Sequence, residues 1–334
     1  MRRRILVNGG PILLAGLVLA LLTLIPVSAQ DTGPRFGAWS AAVPVGPPIA
    51  DVGDDEACPF IAKNNLDLYF RSYSQLPETG DAWSYSIFVS HRESEDAPWG
   101  DPVSLGSIIN TSRNEVCSFV TIDGHWLYFV SNRTYPAGYG NTDLYVSHRK
   151  DNRDPTGWET PKNLGPYVNT SAIENGPSIF EDEATGKVVM YFTRNVSGLN
   201  KIYQTELLDR DNPGPVTPVA KLNYAGAADW HAFVRRKDGL EVIFLSNRDA
   251  GGGTANSDLY VSTRPNTSAP WSTPVKLGSS VNDPDRQEGR PSLSWDGTTL
   301  YFWAAREWVP WGTSGYWNMR LYQATRDKIT GKSK

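Results

Sequence analysis

Cysteine is almost absent from this chain, and so are the short motifs that announce common catalytic chemistries. Two cysteines in 334 residues leave no room for a disulfide-stapled small scaffold or a paired C-x-x-C zinc site. No G-x-S-x-G, H-E-x-x-H or glycine-rich phosphate loop occurs, so nothing local points to serine-hydrolase, zinc-peptidase or nucleotide chemistry. The triple glycine at 251–253 falls between predicted strands and reads as turn flexibility. An excess of one charge is lacking too: 32 basic against 36 acidic residues give a net charge of −4 with no basic stripe, which excludes nucleic acid as an expected partner. There is one long hydrophobic run, Ile12 to Val27, of 16 residues, short of the roughly 20 that a spanning helix needs. Arg2, Arg3 and Arg4 precede it and Val27-Ser28-Ala29 follows, the pattern of a cleavable export signal. Residues 1–29 are therefore expected to be removed, leaving a secreted, periplasmic or envelope-associated protein of charge −7 with no stable membrane insertion. An uncleaved anchor is the alternative.

What the chain has in abundance is repetition. An acidic residue opens each of five copies, at Glu56, Glu115, Glu174, Asp229 and Glu288, with gaps of 59, 59, 55 and 59. Each copy holds four apolar–polar alternating runs separated by Gly, Pro, Asn and Asp, which reads as a four-stranded antiparallel meander. Second strands read DLYFRSY, WLYFVSNR, VVMYFTRN, EVIFLSNR and TLYFWAAR; third strands read SIFVSHR, DLYVSHR, KIYQTEL, DLYVSTR and RLYQATR. Fourth strands begin at Trp99, Trp158 and Trp271, with a degenerate PVTPVAKL in the third copy, which also carries Leu207 where the others have a third-strand Arg. The fifth copy stops after its third strand, and its missing piece, WSAAVPVG, lies at Trp39 to Gly46. The prediction is an all-β, five-bladed β-propeller spanning residues 30–334, its last blade closed by the N-terminal strand at 39–46, with no exposed sheet edge in the ring.

The E-x-x-P-S, S-N-R and D-L-Y-V-S elements, with the turn-then-L-Y-F pattern between them, resemble the TolB-type, WD-repeat-like propeller repeats of bacterial envelope and secreted proteins. The resemblance covers roughly residues 39 to 326 and implies an interaction or recognition scaffold; the partner expected for this chain is a carbohydrate or another protein, and the expected state a monomer. No residues are left over for a fused enzyme domain.

Which residues could act follows from comparing the copies. The five acids admit two readings: a ring that binds a channel cation such as calcium or supplies a glycosidase acid–base pair, or a repeated fixture tied to backbone N–H groups and Arg. A catalytic pair needs two unlike environments and the repeat offers five alike, so the second is expected, with no catalytic residue, cofactor or metal assigned. Two residues past each acid stand Cys58, Cys117, Gly176, His231 and Arg290, placed by the period of two on the acid's own face. Cys58 and Cys117 are either a disulfide or two buried thiols. His231 and Arg290, with Asp229 and Glu288, form the most reactive-looking cluster, or else an internal salt-bridge network.

Aromatics mark the acid-bearing end. Tyr73 and Trp83, Tyr135 and Tyr139, and Trp308, Trp311, Tyr316 and Trp317 in a long last-blade loop at 304–318 can stack on sugars or fill a partner's pocket, or can pack on one another. The sequence-based expectation is an exported propeller that binds a ligand there. A five-bladed glycoside hydrolase using central carboxylates is the alternative. Sequons at Asn110, Asn132, Asn169, Asn195 and Asn266 are expected to serve turns.

Overall fold

The computed structural model describes residues 35–52, 55–80, 82–136, 138–249, 257–311 and 314–329, and within these the side chains outside 35, 78 and 306–317. The predicted export signal at 1–29 lies outside the described residues.

Five antiparallel sheets form the ring, one per repeat. Blade 1 comprises Glu56–Ile61, Asp67–Gln75, Trp83–His91 and Val103–Ser104; blade 2, Glu115–Val120, Trp126–Ser131, Asp143–His148 and Lys162–Asn163. Blade 3 comprises Glu174–Asp182, Lys187–Val196, Leu199–Asp209 and Thr217–Pro218, with a further short pairing at Asn212–Pro213; blade 4, Asp229–Val234, Glu241–Ser246, Asp258–Thr263 and Val275–Lys276. Blade 5 runs Gln287–Leu293, Thr299–Trp311 and Ser314–Thr325, then takes Val43–Pro44 as its outer strand. Both faces of a blade pack on neighbours, so the centres of the second strands are buried throughout rather than on alternate residues: Leu127, Tyr128, Phe129 and Val130 all are.

Closure is narrower and more elaborate than the 39–46 expectation. Val43 and Pro44 pair with Gln323 and Tyr322, and backbone bonds from Ser40 to Thr325 (2.7 Å) and Val45 to Leu321 (2.9 Å) extend the seam. Arg35–Phe36 adds a two-residue pairing with Lys328–Ile329, beyond the third strand of blade 5. Phe36 lies between the guanidinium groups of Arg235 and Arg326 (4.9 and 3.7 Å), and Glu241 holds both arginines.

The third-strand Arg and the fourth-strand Trp prove to be one unit. Arg92 stacks on Trp99 (4.4 Å), Arg149 on Trp158 (4.2 Å), Arg264 on Trp271 (4.2 Å) and Arg326 on Trp39 (4.3 Å). Such pairs contribute about 0.5–2 kcal/mol each, and blade 3 lacks both members. The sequon residues Asn110 and Asn169 are buried and clamp a third-strand backbone, Asn110 on Ile87 and Asn169 on Leu144, at 2.8–2.9 Å.

Each inner strand carries a bulge two residues after its acid, and the residue there has positive φ: Cys58 (54°), Cys117 (53°), Gly176 (61°), His231 (55°) and Arg290 (47°). Four of the five are not glycine, in a region that L side chains avoid at a cost of about 1–3 kcal/mol each. The bulge breaks the period of two on which the sequence reading placed these residues. It turns them toward one another at the axis instead.

Candidate functional site

The acid-bearing end contains three arrangements built on different parts of the repeat. In the first, all five acids are fully buried. Glu115 accepts from Thr111 N (2.8 Å), Thr111 Oγ1 (3.0 Å) and Ser131 Oγ (2.7 Å), with Arg133 at 3.4 Å. Glu174 accepts from Thr170 N and Oγ1 and pairs with Arg194 at 2.9 Å. Asp229 is held by Tyr224 N, Ser246 Oγ and Arg248, the last at 2.6 Å. Glu56 accepts from Ser72 and pairs with Arg320 at 3.0 Å. These four acids are occupied by hydrogen bonds and ion pairs.

Glu288 is the exception, and register explains it. Opposite the other acids stand Ser72, Ser131, Arg194 and Ser246; opposite Glu288 stands Ala304. Its Oε1 accepts one bond, from Asp283 N (3.2 Å), and its Oε2 has no partner among the described residues. Burial first, and then the charges of Asp258 and Asp283, push its carboxyl up to about 8, against the pull of that single backbone bond. Glu288 therefore keeps its proton at neutral pH.

The second arrangement is the axial layer. Cys58 and Cys117 are joined by a disulfide with Cα atoms 4.8 Å apart, inside the 4.4–6.8 Å window. A Cβ on Gly176 would come within 2.5 Å of His231 Cδ2 and 2.8 Å of Arg290 Nη1, so the two side chains meet over the glycine. Arg290 reaches across the axis to Pro177 O (2.8 Å) and Cys117 O (3.4 Å). Burial, with Arg290 and Arg71 beside it, holds His231 well below the ordinary imidazole range. Asp229 and Glu288 do not join this layer, because their bonds go to the strand and loop groups above, and the predicted four-residue cluster does not form. Nor do these side chains suit a channel calcium: they are donors and a cation, and no group of three His, Cys, Asp or Glu that could hold a metal occurs among the described residues. Beneath lies a phenylalanine layer, Phe60, Phe119 and Phe233, with Phe60 and Phe119 centroids 4.5 Å apart.

The third arrangement escaped the sequence reading. Asp55, buried, accepts from Tyr85 OH (3.0 Å) and Arg71 Nη1 (3.4 Å), while its Oδ1 has no partner among the described residues. Arg71 lies over the Tyr85 ring at 3.9 Å. The signal was present one residue before each acid, where the blades read Asp55, Asn114, Ile173, Ala228 and Gln287: one copy alone carries a second carboxylate.

The aromatics divide. Tyr73 and Trp83 belong to strands rather than loops and pack at 5.4 Å, with Tyr85 5.0 Å from Tyr73, yet Trp83 stays 52% exposed. Tyr135 and Tyr139 project from the blade 2 loop at 81% and 51% exposure. Tyr167 and Tyr224, which the sequence reading passed over, are likewise exposed in loops of this end. The long loop predicted at 304–318 is largely a hairpin, pairing Trp308 with Trp317, Val309 with Tyr316 and Trp311 with Ser314; the side chains of Trp308, Trp311, Tyr316 and Trp317 lie outside the described ones, as does that of Arg306. A groove of about 1000 Å³ lined by Asp67, His91, Asp123 and Arg149 opens at the opposite end, between blades 1 and 2, and cannot serve the acids.

No protein-family model and no curated protein matches the chain. Among solved structures it is similar to the alpha-L-arabinofuranosidase of Podospora anserina in complex with cellotriose, with a TM-score of 0.53 and 12% identity over 88% of this chain and 98% of that one. The alpha-L-arabinofuranosidase of Lactobacillus brevis gives a TM-score of 0.53 and 15% identity over 83% and 92%. The exo-beta-1,3-galactanase of Phanerochaete chrysosporium with beta-1,3-galactotriose gives a TM-score of 0.50 and 15% over 83% and 63%. At these identities the likeness establishes the fold.

Proposed function

We propose that this protein is a glycoside hydrolase working at the acid-bearing end of the propeller, with Glu288 as the proton donor and Asp55 as the second carboxylate. The observation that carries the reading is the inequality of the acids. Glycosidic cleavage needs one carboxyl that holds its proton and one that does not. Glu288, which has neither a hydroxyl nor an ion pair among the described residues, is the acid. Asp55, in blade 1 next to blade 5 in the ring, is paired with Arg71 and Tyr85 and keeps one oxygen without a partner among the described residues. The structural neighbours, arabinofuranosidases and a galactanase, share this architecture and act on glycans, which supports the substrate class by analogy of fold. The preference for a non-catalytic scaffold, drawn from the repeated acids, finds no support in these likenesses.

The test is hydrolysis of aryl arabinofuranosides and galactosides and of arabinan- and galactan-derived oligosaccharides. Glu288→Gln should lose at least about 100-fold in kcat while remaining folded, because a general acid typically contributes 10²–10⁴-fold. An inactive parent, or an unimpaired Glu288→Gln, refutes the assignment.

One observation favours a second reading, binding without turnover: the exposed tyrosines Tyr135, Tyr139, Tyr167 and Tyr224 form a rim suited to stacking on sugars. On that reading a glycan array identifies ligands that the parent retains but does not cleave. Tyr135→Ala combined with Tyr139→Ala would then weaken binding about tenfold.

A further inference from the structure

The hairpin of blade 1 outruns those of blades 2 and 4 at the acid-bearing end. In blade 2 the second and third strands stop at Ser131 opposite Asp143, and in blade 4 at Ser246 opposite Asp258. In blade 1 they pass the equivalent Ser72 and Ser86 and add three pairs, Tyr73 with Tyr85, Ser74 with Ser84 and Gln75 with Trp83. These pairs invert the usual order of a half-covered sheet, in which apolar residues face inward and polar ones outward. Ser74 and Ser84 are the buried members, whereas Trp83 is 52% exposed and Tyr73 and Tyr85 are half-buried. Strand alternation puts the three rings on one face with Arg71, and there they form a continuous series. Arg71 lies over Tyr85 at 3.9 Å, the Tyr85 and Tyr73 centroids are 5.0 Å apart, and those of Tyr73 and Trp83 5.4 Å. The inner end is anchored: Tyr85 OH donates to Asp55 (3.0 Å), and Tyr85 N donates to Asn114 Oδ1 (3.1 Å). The series therefore runs outward from one of the two carboxylates assigned to cleavage and ends on a ring open to solvent.

We propose that Tyr85, Tyr73 and Trp83 are a stacking track for the units of a neutral glycan chain that extend beyond the bond to be cleaved. Trp83 is its outermost subsite and sets a preference for a chain over a single glycoside. Size and charge identify the occupant. The C–H face of a sugar ring fits the negative face of an aromatic ring. The cation on this face is already paired, Arg71 with Asp55, so the track offers no free charge to a sugar acid. With Trp83 half exposed and the tyrosines less so, the three rings present at most about 300 Å². Each partner of a stable protein complex contributes about 800 Å², so the strip is too small for a protein and suits a chain one sugar wide. The direction of the track, outward from Asp55, rests on the hydrolase reading; the stacking does not.

Calorimetric titration with cellotriose, xylotriose, arabinotriose and galactotriose tests it, using Glu288→Gln so that no ligand is consumed. At least one trisaccharide should bind. Adding Trp83→Ala should weaken that binding about tenfold, and Trp83→Phe, which restores a ring, should recover most of the loss. Crystals of Glu288→Gln soaked in the same trisaccharide should show a sugar ring stacked on the Trp83 indole, a result that decides the matter if Trp83→Ala does not fold. Affinity indifferent to Trp83→Ala, failure of all these trisaccharides to bind, or a sugar seated away from Trp83 each overturns the track. A concentration-dependent dimer that Trp83→Ala abolishes would give the face to a second copy of the chain and overturn it too. Binding that depends on Trp83, in a parent that turns over neither these sugars nor aryl glycosides, keeps the track and removes the hydrolase. Turnover of aryl glycosides with trisaccharide binding indifferent to Trp83 does the reverse.

Discussion

Replacing Glu288 by Gln should make the protein more stable at slightly alkaline pH, the reverse of what removing a buried acid usually does. In the unfolded chain the carboxyl titrates near 4.5, whereas in the folded chain burial holds it to about 8. Between those values the folded state binds the extra proton. Its stabilising contribution is therefore complete below pH 4.5 and is lost as pH rises through 8, at up to about 1.4 kcal/mol per pH unit. Over the window that amounts to roughly 5 kcal/mol at most. Glutamine is neutral at every pH and keeps the acceptor for Asp283 N, so its stability has no such slope. Melts of the parent and Glu288→Gln from pH 5 to 8.5 should give curves that diverge with rising pH, the variant ahead by about 5 °C or more at the alkaline end. Any constant offset from the amide's own contacts cancels in the slope. Parallel curves, or a parent that gains on the variant as pH rises, would refute the claim that Glu288 is buried and unpaired.

Three further outcomes are expected. Glu115→Gln should destabilise by about 3–5 kcal/mol, since it leaves the buried Arg133 without its carboxylate; a urea midpoint unchanged from the parent contradicts this. Deleting residues 35–46 removes the outer strand of blade 5 and the Phe36 clamp, so the whole ring should lose several kcal/mol, and an unaltered Tm would count against closure by the N-terminal segment. Thiol titration of the unfolded, unreduced protein should detect no free thiol. Reduction should lower stability by about 4 kcal/mol for a bridge spanning 59 residues, and two free thiols in protein prepared under oxidising conditions would remove the disulfide from the axial layer.

The contrast between Glu115 and Glu288 shows how far the chain could be read without its fold. Strand alternation, turn residues and the five-fold spacing are local, and strand pairing within a meander follows from them, so the number of blades, their four-strand order and the closing segment were all written in the sequence. Even the weak third blade was legible, because the Arg and Trp that stack on each other vanished together. Three things were not. Glu288 differs from the other acids through Ala304 on the neighbouring strand, and only the pairing register brings that alanine opposite it. The residues at the bulges look like strand interior in sequence, and only the left-handed backbone turns them to the axis. Arg290 finds its acceptors at Pro177 and Cys117, 113 and 173 residues away, and no periodicity carries information over those distances. Local chemistry set the elements because propensity and alternation act between near neighbours. Protonation, pairing and charge balance at the centre were decided by burial, since the cost of a charge depends on what five separate strands remove from water around it.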